Sequence, residues 1–228
     1  MNLFTKSKLQ KNETFRLPPD PNLLFRESDH KYYCQKHKRI IPQSVSSVCR
    51  GSSRSTWEGK TPAMLRGSQI HLCWNRFLET GHPGNAGEWG EWVGILCEDP
   101  LWKQLTPIAL EHPLVDRTFW ISGTLDGLFY NSETEEVILI DLKTFEQVKD
   151  DKGQWSTYKK GRHRKQLGGY VDLIHINYPE INVDKCLVIH SSQRAVFYEA
   201  YPDVERCRGD YQLARRDYFD KQRKFHAF

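Results

Sequence analysis

Residues 121–144, ISGTLDGLFYNSETEEVILIDLKT, constrain the fold more than any other stretch. Val137-Ile138-Leu139-Ile140 is an apolar, largely β-branched run of the kind that forms a buried strand. Asp141-Leu142-Lys143 follows it directly. Side chains alternate along a strand, so Asp141 and Lys143 share one direction while Leu142 points into the core. A carboxylate and an ammonium leaving a buried strand end are costly unless something compensates them. Upstream, Asp126 sits between Gly123 and Gly127 in a second strand pattern, where the two glycines mark a bend or bulge.

The rest of the chain reads as elements around this pair of strands. Ile70, Cys73, Trp74, Phe77 and Leu78 recur at helical spacing up to Gly81, and Pro62 suits a first helical turn. Trp89, Trp92 and Val93 open another helix that ends before Pro100. Residues 106–115 read as an edge or bent strand, because Glu111 and Pro113 interrupt it. Gln166, Leu167, Tyr170, Val171 and Ile174 form a helical face, on which Gly168-Gly169 permits close approach of another backbone. Residues 184–190 and 195–200 are two further strands, and residues 206–225 a basic helix. Residues 30–41 read as a short hairpin and SVSSVCRG as a loop or short helix. The expected class is α/β, a central mixed β-sheet flanked by helices.

Length and composition set outer bounds. The 228 residues suit an N-terminal arm over 1–28, rich in proline near its end, followed by one domain over 29–228. A net charge of +4 permits a nucleic-acid partner without demanding one. Six scattered cysteines form no C-x-x-C pair, and the polar N-terminus has no apolar signal core, so the expectation is a cytoplasmic protein with reduced thiols and no membrane partner.

In order, Gly67-x-x-x-His71, Gly123-Thr124-Leu125-Asp126, Ile140-Asp141-Leu142-Lys143 and Gln166-Leu167-Gly168-Gly169-Tyr170 resemble the PD-(D/E)xK nuclease superfamily, nearest its RecB-like, phage-type exonuclease branch. Residues 44–48, Trp57 and Arg66-Gly67 are similar to the lead-in of exonucleases of that branch. The resemblance implies a restriction-endonuclease-like core and a metal-dependent phosphodiesterase active on DNA. It implies Mg²⁺ or Mn²⁺ as cofactor, with His71, Asp126, Asp141 and the carbonyl of Leu142 as ligands. Asp126, Asp141, Lys143, Gln166 and Tyr170 would form the catalytic set, Lys143 acting on the attacking water and on phosphate charge. Glu111 would take a supporting role. The branch implies a bacterial or phage-infected cell, and DNA ends or single-stranded regions as partner. A homo-oligomer or a recombination partner protein is left open.

Each piece has a plainer alternative. A D-x-K at a strand end is ordinarily a surface ion pair, and a lone helical histidine is ordinarily packed or solvated. Gln166 and Tyr170 cap and pack in many helices. Lys159, Lys160, Arg162, Arg164 and Lys165 would ordinarily form a solvated loop, yet between the lysine motif and the next helix they suit phosphates. Trp57, Trp155 and Tyr158 are stacking candidates for unpaired bases. RecB-like enzymes with an iron–sulfur cluster use one early and three late cysteines. Here only Cys186 and Cys207 follow the active-site helix, so no cluster is expected. The favoured reading is a DNA exonuclease. The alternatives are a structure-selective endonuclease on the same fold, or a catalytically silent nucleic-acid-binding module.

Overall fold

The computed structural model describes residues 16–26, 31–51 and 61–225, without the side chains of 224 and 225. Residues 1–15 of the expected arm, the start of the expected hairpin at His30, and Trp57 lie outside the described residues. Strand β1 (Leu23–Arg26) pairs antiparallel with β2 (Lys31–Cys34), which pairs antiparallel with β3 (Arg39–Ile41). The expected hairpin is therefore two strands of a three-stranded sheet, and the third comes from the segment expected to be an arm. Leu17 and Leu23 bury their side chains, and Leu17 donates its amide to Ile108 O at 3.0 Å.

The main sheet is built from β4 (Gln43–Ser44), β5 (Leu105–Asp116), β6 (Ile121–Asn131), β7 (Glu136–Thr144), β8 (Lys185–Ser191) and β9 (Val196–Tyr201). Its order is β4-β6-β7-β8-β9, and β5 covers the other edge of β6. The β4–β6 and β7–β8 pairs are parallel and the others antiparallel, so the sheet is mixed as expected. The register shift falls on β5 between Pro107 and Ala109. The irregularity expected at Gly123–Gly127 thus lies on the partner strand, where Pro107 cannot donate to the ladder.

Helices cover both faces. On one side α1 (Val45–Arg50), α4 (Arg164–Asn177) and α5 (Val204–Phe225) pack with Val137, Leu139, Cys186 and Val188. On the other, α2 (Pro62–Thr80) and α3 (Gly90–Cys97) pack with Ile138, Ile140, Leu142, Leu187 and Ile189. Alternate residues of β7 and β8 therefore enter two different cores, which explains a continuous apolar run rather than an alternating one. Thr61 caps α2 through Met64 N, Pro62 occupies its first turn and Gly81 ends it in the left-handed region, so the expected start and body are one helix. Ser44 and Ser47 form a capping box that makes a helix of the segment read as loop or helix.

Candidate active site

The site lies where the sheet forks. Strand β6 pairs with β4 only at Ile121 and Ser122, and with β7 only from Gly127 onward. Between those contacts residues 123–126 keep β5 on one edge and have no strand on the other. Beyond Ile140, β7 leaves β6 and continues against β8 alone. Leu142 therefore has a backbone N–H and C=O with no strand partner on the β6 side, and buried backbone groups need partners. Side chains supply them. Asp126 Oδ2 accepts from Leu142 N at 2.7 Å, and His71 Nε2 lies 3.0 Å from Leu142 O.

His71 comes from the middle of α2, which rests on β7, with Gly67 beside Thr144. Its Nδ1 faces Glu111 Oε1 at 3.5 Å and Asp126 Oδ1 at 3.7 Å. The register puts Leu110 against Gly127 and His112 against Leu125, so Glu111 stands directly across the ladder from Asp126. Like charges at directly opposed strand positions are destabilising. Glu111 also holds φ 41°, in the left-handed region that costs a residue with a side chain on the order of 1–3 kcal/mol. Two opposed carboxylates, one on a strained backbone, face one imidazole. Burial would by itself hold the His71 pKa down, but Asp126 and Glu111 outweigh it and the net shift is upward.

Asp141 and Lys143 project together from β7, as alternation requires. Lys143 Nζ stands 2.8 Å from Asp141 Oδ1 and 2.7 Å from Oδ2. Only the first contact has hydrogen-bond geometry, which leaves the buried Oδ2 without a hydrogen-bond partner. Burial raises the Asp141 pKa and Asp126 adds to it, against the pull of Lys143. Burial opposes the Lys143 ammonium, yet Asp141 and Asp126 more than offset this, so its pKa is raised and it keeps its proton.

Gln166 and Tyr170, one turn apart on α4, hydrogen-bond to each other at 3.2 Å, and Gln166 Nε2 also reaches Ser46 Oγ at 3.4 Å. Burial, then Asp126 and Asp141, push the Tyr170 pKa well up, so its hydroxyl stays protonated. A Cβ at Gly123 would stand 2.8 Å from the Tyr170 ring, so glycine is what lets that ring lie against β6.

A divalent ion fits the donor set. One ligand atom from each of His71, Glu111 and Asp126 lies within 4.8 Å of the others. Donors around an ion bound at about 2.0–2.6 Å stand no more than about 4–5 Å apart. Asp141 is not part of that group: its Oδ2 has no hydrogen-bond partner but stands 2.7 Å from the Lys143 ammonium. Mostly oxygen donors with one imidazole suit Mg²⁺ or Mn²⁺. Glu111, given only a supporting role from the sequence, stands inside this cluster, whereas Asp141 stands against Lys143.

The basic strip divides. Lys159, Lys160, Arg162 and Lys165 are exposed, but Arg164 is bound to Asp210. Two stacking candidates already have intramolecular partners. Tyr158 stacks on His190 with centroids 3.9 Å apart, and Trp155 carries Arg194 at 4.1 Å. Phe25, Tyr32 and Thr124 are not among the site residues expected from the sequence. Tyr32 Oη and Thr124 Oγ1 are 2.6 Å apart, and the three residues help line a cavity between α1 and the fork. Thr124, two residues from Asp126 within the same motif, was the available signal.

The chain matches no protein-family model and no curated protein. Among solved structures it is similar to a provisionally named exonuclease from Eubacterium rectale, with 11% identity and a TM-score of 0.48 over 77% of this chain and 78% of that one. It is also similar to the protein SSO0001, with 14% identity and a TM-score of 0.30 over 74% of this chain and 83% of that one. No helix among the described residues is long and apolar enough to cross a membrane.

Proposed function

We propose that this chain is a divalent-metal-dependent DNA nuclease of RecB-like type that cuts phosphodiester bonds from DNA ends. The observation that carries the reading is Glu111 opposite Asp126 under His71, beside the buried Asp141–Lys143 pair. Two opposed carboxylates facing one imidazole are a poor arrangement for an empty structural site and a good one for a cation. Mg²⁺ or Mn²⁺, held by His71, Glu111, Asp126 and Asp141, would supply Lewis acidity toward phosphate and an acidified water.

The protein groups divide the remaining work. Lys143, protonated and anchored by Asp141, presents a positive charge to a non-bridging phosphate oxygen and a donor to the attacking water. Asp126 fixes the strand position of Leu142 by accepting its amide, which holds the two carboxylate strands in register. Tyr170 and Gln166 present donors to phosphate or water from α4, and their mutual hydrogen bond limits both rotamers. Lys159, Lys160, Arg162 and Lys165 contact backbone phosphates further along the strand. Base readout plays little part, so affinity falls with salt.

The test is cleavage of end-labelled single-stranded, duplex and covalently closed circular DNA with Mg²⁺, Mn²⁺ or EDTA. Linear substrates should shorten from an end, circles should survive, and EDTA should stop the reaction. Asp141→Asn and Lys143→Ala should each abolish cleavage while circular dichroism shows a folded protein. Full activity in either variant refutes the assignment, and cut circles replace the exonuclease reading with an endonuclease on the same site.

A further inference from the structure

The fork leaves a cavity of about 220 Å³ beside the candidate metal centre, lined by Phe25, Tyr32, Ser44, Ser46, Thr124 and Tyr170 among others. It is smaller than the roughly 300–1,000 Å³ typical of sites for drug-sized ligands, so it suits one ring system rather than an extended molecule. Its position follows from the topology. β4 ends at Ser44, β7 joins β6 only at Gly127, and the opening between them is walled by the small sheet on one side and α4 on the other. Thr124, on its edge, stands two residues from Asp126, about 7 Å along the strand.

The lining has two chemical halves. Phe25 and Tyr32 are cross-strand partners in β1 and β2, with ring centroids 4.9 Å apart and planes tilted by 47°. Phe25 is 40% exposed, at the rim of the cavity. The lining also carries hydroxyls: Thr124, bonded to Tyr32, Ser46, which accepts from Gln166, and Tyr170. Aromatic rings and hydroxyl groups sharing one small cavity fit a flat heterocycle with polar edges.

We propose that this cavity is a nucleobase subsite, which takes the unpaired base of the nucleotide next to the phosphate at the metal centre. It rests on the nuclease reading, because only a phosphate held at Asp126 places a base here. The bound base stacks on Phe25 and Tyr32, and its edge meets Thr124 and Ser46. Stacking tolerates any base, so the subsite selects for an unpaired nucleotide rather than for a sequence.

The experiment walks a single 2-aminopurine, and in a parallel series a single abasic position, along a short single-stranded DNA with cleavage-resistant phosphorothioate linkages, bound to the full chain with Mg²⁺ present. The expected result is fluorescence quenching at one position, with an affinity loss when that same position is abasic. Phe25→Leu keeps apolar bulk without a ring. It should weaken binding of intact DNA by roughly 5- to 150-fold and lose both the quench and the abasic penalty. Phe25→Trp should keep both. Thermal melts of the variants separate a folding failure from loss of the subsite, and if Phe25→Leu unfolds, loss of the quench in folded Phe25→Ser decides. An unchanged quench and abasic penalty in a folded ring-less variant overturns the proposal, as does absence of any quenched position in the wild-type chain. The two readings fail separately. Binding and quenching without metal-dependent cleavage remove the nuclease reading, and cleavage with an unaltered Phe25 variant removes the subsite.

Discussion

Gly168 and Gly209 face different surroundings across one helix pair, and that contrast yields a sharp test of the packing that holds α4. A Cβ at Gly168 would stand 1.9 Å from Cys207 O, 2.3 Å from its carbonyl carbon and 2.8 Å from Arg208 N. These are backbone atoms of α5 and cannot swing aside as a side-chain tip would. Relieving the contact requires the two helices to separate by more than about 1 Å against close-packed neighbours. Alanine would gain about 1 kcal/mol in helix propensity, but overpacking costs about 1–3 kcal/mol and more where backbone must move. Gly168→Ala should therefore lose about 2 kcal/mol or more, lowering Tm by roughly 4–8 °C for a domain of this size. Gly209, on α5, would meet nothing within 4 Å with an added Cβ. Gly209→Ala should gain about 0.5–1 kcal/mol, since only the unfolded chain loses freedom. Urea titration of the three proteins, with m-values compared, measures both. A Gly168→Ala protein as stable as wild type, or a Gly209→Ala protein less stable, would refute this account of the helix contact. Because Gln166 and Tyr170 ride on α4, Gly168→Ala should also reduce DNA cleavage more than its stability loss predicts.

Further outcomes are expected for metal, pH and salt. Mn²⁺ at about 100 times its Kd should stabilise the chain by about 2.7 kcal/mol, a Tm rise of roughly 5–10 °C by calorimetry. Glu111→Gln should raise the metal-free Tm, by removing the like-charge opposition to Asp126, and shrink the metal-induced rise. Without metal, the raised His71 pKa means its contribution to stability is fully present below the ordinary histidine value of 6.5 and is lost as pH rises through the raised value. The unfolding free-energy difference between wild type and His71→Asn in EDTA should accordingly shrink as pH climbs above about 6.5. Replacing Lys159, Lys160 and Arg162 by alanine should flatten the log–log salt dependence of single-stranded DNA binding by about 2. Arg164→Ala, whose guanidinium is bound to Asp210, should change stability with little effect on that slope.

Elements with local signals were legible in the sequence. Strand β7 spans Glu136–Thr144 as the apolar run and its flanks indicate, and α2 ends at Gly81 as its periodicity and glycine require. Gly168 meets the backbone of α5, as the glycine pair signals, whereas Gly169 meets the side chains of Val45 and Tyr211. What the sequence hid depends on register between distant segments. β1 is four residues long beside a proline-rich stretch, and only its pairing with β2 makes it a strand. Glu111 reaches the site through a left-handed residue and a ladder that opposes it to Asp126, and neither is encoded near position 111. Arg164 and Tyr158 looked open to nucleic acid, yet Asp210 and His190 meet them from elsewhere in the chain.

The fork has a consequence for observing the site in solution. The amide of Leu142 is held by a side-chain carboxylate rather than by a neighbouring strand. Its hydrogen exchange is thus tied to Asp126, whereas amides paired within the β6–β7–β8 ladder exchange only when the ladder opens. Any event that draws the Asp126 carboxylate away, such as protonation or a cation competing for Oδ2, frees this one proton while its neighbours remain protected. Leu142 N–H is a built-in reporter, readable by NMR in a protein that is cutting nothing.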